Sequence, residues 1–371
     1  MEPLSFRTDE RIQSPTFDTM TEKKDIRELS NERLRNFLEE AGERPFRAKQ
    51  IEEWLWQKGA STFSEMSNLS LKLRAHLEEH FQLKKIRKAD VQTSEDGTIK
   101  NAFELPDGKV IEGVLIPQKD RMTACVSSQV GCALACDFCA TAALKKERNL
   151  KAHEIFDQVE TLDRQARDTY GTGLTNIVYM GMGEPLLNHR EVRASIDRIT
   201  DERGMGLSPK RITVSTVGIA KMIEKLAEAE VRFELALSLH AARDEKRSRI
   251  MEINKSNDLD SLKTALKKFH ERTGKRITLE FIVFKEFNDE PEDAEDLIAF
   301  CQEVPSKVNI IEYNPIDGGS LAQASRKKFE RFVDLLDASG VIVNVRRSRG
   351  KDIDAACGQL ANKNGLKKVE A

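Results

Sequence analysis

Long apolar segments are missing from this chain of 371 residues, and so is an apolar stretch near its beginning. No run approaches the roughly 18 consecutive apolar residues that predict a membrane-spanning helix. Residues 1–24 are polar and lack the apolar region of a secretory signal peptide. A hydrophobic content of 39% beside a charged content of 33% is typical of globular proteins. We therefore expect a cytoplasmic protein that does not associate with membranes.

An excess of charge of either sign is also missing. The chain carries 60 basic and 62 acidic residues, for a formal net charge of −2. The total therefore gives no indication of nucleic-acid binding, although a balanced total can hide local patches. Basic residues cluster at 84–88, 145–148 and 346–349. Each cluster has two interpretations, an ordinary solvent-exposed surface or a patch that contacts nucleic-acid phosphates.

Cysteines that are spread along the chain, as in a disulfide-stapled fold, are absent. Four of the six cysteines fall between residues 125 and 139, in a chain long enough to need no staples. Such clustering in a cytosolic protein points to metal binding or redox catalysis. The six are Cys125, Cys132, Cys136, Cys139, Cys301 and Cys357. Cys301 shares an apolar helical face with Leu297 and Phe300, and we interpret it as a core residue.

Cys132, Cys136 and Cys139 form the spacing C-x3-C-x2-C. Thiolates suit zinc or iron–sulfur clusters, but structural zinc sites usually combine two C-x2-C pairs, and no second pair follows here. Three thiolates this close together can hold three irons of a 4Fe–4S cluster and leave the fourth iron open. A zinc site or a chance grouping is the alternative interpretation.

The pattern of apolar residues predicts an α/β protein. Three short amphipathic helices, two of them capped by Ser30 and Ser70, follow a polar N-terminal segment. A turn at 106–109 between apolar runs predicts a β-hairpin. Strands then alternate with helices, which predicts a parallel sheet curved into a partial (βα)6 barrel, followed by a seventh strand. The predicted strands are 122–128, 175–180, 211–216, 233–239, 277–284, 307–313 and 341–347.

These elements divide the chain into five segments. They are a disordered N-terminal segment (1–28), a small helical accessory domain (29–88), a β-hairpin extension (89–121), the partial barrel (122–346) and a C-terminal segment that carries Cys357 (347–371).

Unusual sequences fall at the carboxyl ends of the predicted strands, where parallel α/β folds collect their reactive groups. The three-cysteine run follows the first strand, and Gly183-Glu184 follows the second. Ser215 ends the third strand, Ser238-Leu239-His240 the fourth, and Asn314 the sixth.

These motifs resemble those of the RlmN/Cfr family of RNA adenine methyltransferases, in the radical S-adenosylmethionine (SAM) superfamily. The resemblance extends from about residue 30 to 360 and includes Pro45-Phe-Arg-Ala-Lys-Gln50 in the helical domain. Four further motifs occur in the family's order: Cys125-Val-Ser-Ser-Gln-Val-Gly-Cys132, Met180-Gly-Met-Gly-Glu-Pro-Leu-Leu-Asn188, Ser238-Leu-His-Ala241 and Arg349-Gly-Lys-Asp-Ile-Asp-Ala-Ala-Cys-Gly-Gln-Leu360.

The resemblance implies a radical SAM barrel that uses a 4Fe–4S cluster, held by Cys132, Cys136 and Cys139, and two SAM molecules per turnover. Adenine C2 and C8 are too weakly nucleophilic for ordinary methyl transfer from SAM. Members of this family first methylate a cysteine, which Cys357 matches, and a 5′-deoxyadenosyl radical then activates that methyl group for addition to adenine. Cys125 matches the cysteine that releases the product by forming a transient disulfide.

The same resemblance assigns further roles. Glu112 matches the family's proposed proton acceptor, and a carboxylate in a largely apolar strand is suited to act as a base. The residues that match the family's SAM contacts are Gly183, Glu184, Ser215, Ser238, Leu239, His240 and Asn314. Taken without the resemblance, Cys125 and Cys357 fit small apolar core residues, His240 a hydrogen-bonded strand end, and Glu112 a solvent-facing strand residue.

The predicted function is methylation of adenine C2 in 23S ribosomal RNA, with transfer RNA as a second candidate substrate. The helical domain and the basic clusters would contact the RNA, a flavodoxin-type system would donate electrons, and the protein would act as a monomer. The alternatives are a C8 methyltransferase, a family member with another RNA target, a non-catalytic iron–sulfur RNA-binding protein, and a radical SAM enzyme for a small molecule. The chain departs from the family at Lys145-Lys146, where a Gly-Phe pair is usual, and this bears on the RNA target.

Overall fold

The computed structural model describes residues 23–362. The predicted disordered segment 1–28 and the predicted C-terminal segment 347–371 therefore lie partly outside the described residues. No helix between residues 23 and 362 has the length and apolar character needed to cross a membrane.

Three helices form the small domain that the sequence predicts near the N-terminus: α1 (Asn31–Glu40), α2 (Phe46–Trp56) and α3 (Leu71–His80). The hydroxyl of Ser30 accepts from the N–H of Arg33 at 3.2 Å, and that of Ser70 accepts from Leu73 at 3.1 Å. Both predicted N-caps are therefore confirmed, because each satisfies a backbone donor that the first helical turn leaves free.

Ten strands of the described residues form one mixed sheet. In spatial order it runs β1, β2, β3, β4, β7, β8, β9, β10, β11, β12, and the short strands β5 and β6 form a separate ribbon. The strands are β1 (Arg87–Thr93), β2 (Ile99–Glu104), β3 (Val110–Gln118), β4 (Arg121–Cys125), β5 (Gln129–Val130), β6 (Arg148–Asn149), β7 (Asn176–Tyr179), β8 (Ile212–Thr216), β9 (Glu234–Ser238), β10 (Ile277–Val283), β11 (Ser306–Glu312) and β12 (Val343–Arg346).

The strands from β4 to β12, apart from the β5–β6 ribbon, pair in parallel. All seven predicted barrel strands are present, with bounds that differ by a few residues. The sheet is open, because β1 and β12 are its two edges. The predicted partial barrel of parallel strands is therefore confirmed.

Helices follow the barrel strands in the expected alternation. The apolar side chains of Ile155, Val159 and Leu162 are buried on the first of them. Cys301, predicted as a core residue, is half-buried and packs against the core. The helices are α4 (Ala152–Tyr170), α5 (His189–Thr200), α6 (Ala220–Glu228), α7 (Asp244–Ile250), α8 (Leu259–Thr273), α9 (Pro291–Glu303) and α10 (Arg326–Ala338).

The predicted hairpin is formed by β2 and β3 around the turn at 106–109, where Gly108 has a φ of 78°. It belongs to a larger antiparallel extension, since β1 pairs with β2 and β3 pairs with β4. Through β4 this extension is continuous with the parallel sheet, so it adds strands to the barrel and does not form a separate layer.

A buried ion-pair group joins the N-terminal region to the barrel. The guanidinium of Arg27 donates to Asp25 at 2.8 Å and to Asp157 of α4 at 2.8 Å, and it also bonds the carbonyl of Lys84. All three charged side chains are nearly inaccessible to solvent. Because the pairing compensates the burial of each charge, the group fixes the helical domain against α4.

Candidate active site

The three cysteines of the C-x3-C-x2-C run lie on the loop that leaves β4. Gly131 precedes them with a φ of 71°, and a side chain there would meet the carbonyl oxygen of Lys145 at 2.3 Å. Only glycine fits this close approach. The backbone of Lys145 also bridges to Cys132, while the side chains of Lys145 and Lys146 are exposed. The two lysines that stand where the family usually has a Gly-Phe pair therefore change the surface charge, while the backbone pairing of the loop is present.

The second cysteine is tied to the end of α7. Cys136 forms a backbone bridge with Met251, and the N–H of Asp137 donates to the carbonyl of Ile250 at 3.1 Å. The ring of Phe138 packs edge-on against His240, with centroids 4.5 Å apart. These contacts hold the cysteine loop over the ends of the strands.

The sulfur atoms fit a cluster better than a single zinc ion. Four thiolates around one zinc lie about 3.8 Å apart, given Zn–S bonds of about 2.3 Å in a tetrahedron. Within residues 23–362, the only group of three potential ligands whose atoms all lie within 4.8 Å of one another is His76, Glu79 and His80 on α3. The three cysteine sulfurs are therefore more widely spread, as thiolates bound to different irons would be.

Burial raises the pKa values of the Cys132 and Cys136 thiols, and the negative charges of Cys139 and Glu184 act in the same direction. Without a metal these two sulfurs keep their protons at neutral pH. Iron binding replaces those protons, so this part of the loop is arranged for a ligand that brings positive charge.

One large cavity of about 1990 Å³ runs through the barrel to the carboxyl ends of the parallel strands. Sites for small molecules usually have volumes of roughly 300–1,000 Å³, so this cavity is larger than SAM alone requires. The predicted site residues on its wall are Cys125, Cys132, Cys136, Cys139, Gly183, Glu184, Ser215, Ser238, His240 and Cys357. Leu239, Asn314 and Glu112 are buried just behind the wall.

Gly183 and Glu184 form a tight turn after β7. Gly183 has a φ of 95°, and a side chain there would come within 2.5 Å of Gln129. The Glu184 carboxylate is buried and accepts from the N–H groups of Leu186 at 2.9 Å and Val217 at 3.0 Å. Burial raises the pKa of Glu184 to about 6, and the two N–H donors oppose that rise. The carboxylate is thus fixed at the cavity wall and can still accept from an ammonium group.

The end of β9 shows another constrained backbone. His240 has a φ of 55°, and its Nδ1 accepts from the N–H of Ile282 at 3.2 Å. Burial lowers the pKa of His240 to about 3, so the ring is neutral at physiological pH. Asn314, after β11, donates through Nδ2 to the carbonyl of Cys357 at 3.3 Å, and its Oδ1 is buried without a partner. An unpaired buried acceptor beside the cavity fits a residue that bonds a ligand.

Cys125 and Cys357 line the same cavity from different parts of the chain. Cys125 ends β4 and is buried, whereas Cys357 lies on the C-terminal segment and is exposed as a residue. Burial raises the pKa of the Cys125 thiol, and the charge of Cys357 raises it further. The surrounding cavity wall desolvates the thiol of Cys357 and raises its pKa too, and the charge of Glu280 acts in the same direction. No pair among the six cysteines, all of them described, lies at disulfide distance. The transient disulfide therefore stays a prediction.

The segment that carries Cys357 is held on both sides. Before it, the N–H of Gly350 donates to Asp96 at 3.0 Å and the hydroxyl of Ser94 donates to Asp352 at 2.5 Å. After it, the carbonyl of Gly358 accepts from the N–H of Ala140 at 2.7 Å, next to the third cluster cysteine. Cys357 is thereby fixed above the cysteine loop.

Glu112 is not among the residues that line the cavity, and its role as a base stays a prediction. It is 2% exposed, which excludes the solvent-facing alternative, and it lies 3.4 Å from the ammonium of Lys100. Its Oε2 accepts from the N–H groups of Ala361 at 2.9 Å and Asn362 at 3.1 Å. In this structure the carboxylate therefore anchors the C-terminal segment and does not line the cavity.

The sequence did not single out two buried charged residues of the site. Glu280 of β10 lines the cavity and accepts from Asn309 at 2.8 Å, and burial raises its pKa. A carboxylate inside the apolar run of residues 277–284 was the available signal. Arg247 of α7 is completely buried behind the ends of β8 and β9. It stands in a charged stretch that is typical of a solvated helix, so no sequence pattern indicated its burial.

Comparisons with known proteins agree with this geometry. The family model of the ribosomal RNA large subunit methyltransferase N-terminal domain matches residues 24–83, and that of the radical SAM superfamily matches residues 126–298. A protein named probable dual-specificity RNA methyltransferase RlmN from Christiangramia forsetii is 52% identical over 92% of this chain and 97% of its own length. One of the same name from Cytophaga hutchinsonii is 53% identical over 94% of this chain and 95% of its own.

A solved structure is also similar along almost the whole chain. The crystal structure of a radical SAM methyltransferase from Sphaerobacter thermophilus superimposes with a TM-score of 0.86 at 38% identity, covering 91% of this chain and 99% of that one. Because sequence identity and fold agree over nearly the same residues, the chain belongs to the RlmN family of radical SAM methyltransferases.

Proposed function

We propose that this enzyme methylates C2 of adenine in 23S ribosomal RNA, with transfer RNA as a second substrate, through a methyl group carried on Cys357. The observation that carries the proposal is that Cys125 and Cys357 face the same cavity as the three cysteines of the C-x3-C-x2-C run. An iron–sulfur RNA-binding protein without activity would need neither of them. The relatives named dual-specificity RNA methyltransferase support the choice of both RNA classes.

Cys132, Cys136 and Cys139 would hold the 4Fe–4S cluster, and Glu184 would accept from the ammonium of SAM. When bound, the cluster supplies the electron that cleaves SAM. Ser215, Ser238, His240 and Gly183 line the same wall, while Leu239 and Asn314 support it from behind. These residues would orient SAM between the cysteine loop and Cys357.

Cys357 has the two properties that a methyl acceptor needs, because it is exposed and it opens on the cavity. Its thiolate would displace S-adenosylhomocysteine from a first SAM, forming a C–S bond as the sulfonium C–S bond breaks. After addition of the carbon to adenine, the thiolate of Cys125 would attack the sulfur of Cys357 and release the product. The resulting disulfide must then be reduced by two electrons from a thiol system.

Basic side chains on the cavity rim suit an RNA substrate. Arg346, Arg347 and Arg349, which belong to one of the basic clusters noted in the sequence, line the cavity at the carboxyl end of β12. Lys210, Arg211 and Lys307 line its other end, where β8 and β11 begin. Contacts of this kind bind phosphates without reading sequence. We expect the enzyme to meet its RNA in the cytoplasm, to act as a monomer and to receive electrons from a flavodoxin-type system.

The decisive experiment is anaerobic reconstitution with iron, sulfide, reductant, 23S ribosomal RNA and methyl-labelled SAM. We expect 5′-deoxyadenosine to form and the digested RNA to contain labelled 2-methyladenine, identified by mass spectrometry against both methyladenine standards. Labelled 8-methyladenine would instead show that the enzyme methylates C8 of adenine. If cluster-loaded protein forms no 5′-deoxyadenosine, the enzymatic proposal fails, and formation without RNA methylation would favour a small-molecule substrate.

A further inference from the structure

Arg247 is a buried cation that no carboxylate neutralises directly. Its side chain has no exposed surface, and no carboxylate oxygen within the described residues approaches it to 4.0 Å. Four acceptors surround the guanidinium: the carbonyls of Leu239 at 3.1 Å, Ser238 at 3.2 Å and Val217 at 2.5 Å, and the Oδ1 of Asn254 at 2.6 Å. Burying an uncompensated charge is costly, so a role for that charge is expected.

The acceptors place Arg247 between the strands and the cluster loop. Val217, Ser238 and Leu239 stand where β8 and β9 end, next to the predicted SAM contacts. One turn further along α7, the backbone of Ile250 and Met251 bonds the loop at Asp137 and Cys136. The same seven-residue helix therefore holds both walls of the site, with the guanidinium between them.

The charge of Arg247 acts on the cluster ligands. The ligand Cys136 forms a backbone bridge with Met251, four residues after Arg247, so the guanidinium lies near the thiolates that would hold the cluster. A nearby carboxylate, Asp244, is held through Asn254, whose Nδ2 donates to it at 2.8 Å. In the low-polarity interior a fixed positive charge stabilises added negative charge more strongly than it would in water.

We propose that Arg247 is a positioning residue that joins the ends of β8 and β9 to the cysteine loop and raises the reduction potential of the cluster held there. One-electron reduction adds one negative charge to the cluster and its thiolates. A buried guanidinium therefore stabilises the reduced form relative to the oxidised form, and net charge near an iron–sulfur cluster is a recognised determinant of its potential. The proposal rests on cluster binding, and it is independent of the RNA substrate.

The test is an EPR-monitored redox titration of anaerobically reconstituted protein, without RNA. Arg247→Met removes the charge, and Arg249→Met, an exposed arginine two residues away on α7, is the matched control. At equal iron and sulfide content, we expect the Met variant at position 247 to show a reduced-to-oxidised ratio about tenfold lower at the wild-type midpoint, a shift of 59 mV for one electron. The control should titrate as wild type does.

Two further variants separate charge from geometry and cover a failure of Arg247→Met to fold. Asn254→Asp, combined with Asp244→Asn so that the two positions keep a donor and an acceptor for each other, places a carboxylate on the guanidinium at unchanged size and total charge, so it should also lower the potential. Arg247→Lys keeps the charge, so it should recover most of the potential while it changes the EPR line shape and weakens SAM binding. If this double variant and every cluster-loaded neutral variant keep the wild-type potential, the proposal is wrong, even if RNA methylation proceeds as proposed.

Discussion

Single residues of the site owe their properties to where the backbone places them. Glu184 shows this clearly, because its buried carboxylate has a pKa of about 6, close enough to neutrality for its charge to change in an ordinary pH titration. Cys357 is exposed, while Cys125, facing the same cavity, is buried. Two residues of one type thus differ in access to solvent, as a first and a second nucleophile would.

Binding of SAM should weaken as the pH falls through about 6. The ionised form of Glu184 accepts from the ammonium, and its raised pKa means that this form is lost below about 6, leaving roughly one-tenth of it at pH 5. Isothermal titration of cluster-loaded protein should therefore show about tenfold weaker SAM binding at pH 5 than at pH 7.5. Glu184→Gln should bind SAM more weakly by roughly 10- to 100-fold and lose this pH dependence. Unchanged pH dependence in Glu184→Gln would contradict the assignment, and the exposed Glu202→Gln serves as a control.

Replacing Cys125 by Ala should trap the enzyme on its RNA. Cys357 would still accept the methyl group and add it to adenine, but no second thiol would release the product. Denaturing gels run with reductant should show a covalent band of protein and labelled RNA, because thiols do not cleave the C–S bond that joins them. Cys301→Ala, on α9 and outside the cavity lining, should turn over normally. Normal turnover by Cys125→Ala would show that Cys125 has another role.

At the scale of elements, the loops and not the strands determine the site. The barrel strands could be predicted from the sequence because each is a short apolar run followed by a helical pattern. Which face of β3 carries Glu112, and what meets it, could not be predicted, since that depends on the C-terminal segment returning from residues 350–362. Arg247 escaped prediction for a similar reason. Its acceptors come from two strand ends that only the folded sheet brings together.

The loop between β5 and β6 should not tolerate a side chain at Gly131. Gly131→Ala forces a Cβ to 2.3 Å from the carbonyl oxygen of Lys145 and strains a φ of 71°. We expect reconstituted protein to contain clearly less iron and sulfide per chain than wild type. Gly108→Ala meets no atom within 4 Å at a similar φ, so it should lose only about 1–2 kcal/mol of stability and keep its cluster. Full iron loading in Gly131→Ala would show that the loop adapts.

The anchor that Glu112 provides can be separated from its predicted role as a base. Glu112→Ala removes the acceptor for Ala361 and Asn362, so hydrogen exchange in residues 355–362 should become faster and Cys357 should alkylate more rapidly. Glu112→Gln keeps an acceptor oxygen at the same place, so hydrogen exchange in the segment and alkylation of Cys357 should stay slow. Loss of RNA methylation in the Gln variant, with protection retained, would support the base. If hydrogen exchange in residues 355–362 is equally slow in wild type, Glu112→Ala and Glu112→Gln, Glu112 does not anchor the segment.

Across the whole molecule, the helical domain, the antiparallel extension and the barrel share one apolar core. The family resemblance covered the same span as the fold that the structure shows. Long-range polar contacts were beyond prediction, because Arg27 and Asp157 are separated by 130 positions and neither carries a motif. Their burial becomes visible only when α4 packs beside the helical domain.

Removing Arg27 should destabilise the entire protein. Arg27→Met would leave the buried carboxylates of Asp25 and Asp157 without their cation, a change that costs about 3–5 kcal/mol. Urea unfolding followed by circular dichroism should report this loss as a lower midpoint. Arg203→Met removes a half-exposed pair with Asp201 and should cost at most about 1 kcal/mol. Similar midpoints for both variants would mean that the helical domain does not depend on this group.

The two-sided attachment of the segment that carries Cys357 limits how the catalytic cycle can proceed. Ala355 is bonded back to Gly350, and Gly358 is bonded to Ala140. Of the two residues between them, Ala356 bonds Gln359 and the carbonyl of Cys357 accepts from Asn314, so the backbone that carries the sulfur is held in place. The sulfur of Cys357 therefore cannot move between two widely separated binding sites. Both SAM molecules would have to bind at the same site in turn. The S-adenosylhomocysteine left by the first must therefore dissociate before the second SAM binds. The rate of turnover would then be set by the exchange of bound SAM and not by movement of Cys357.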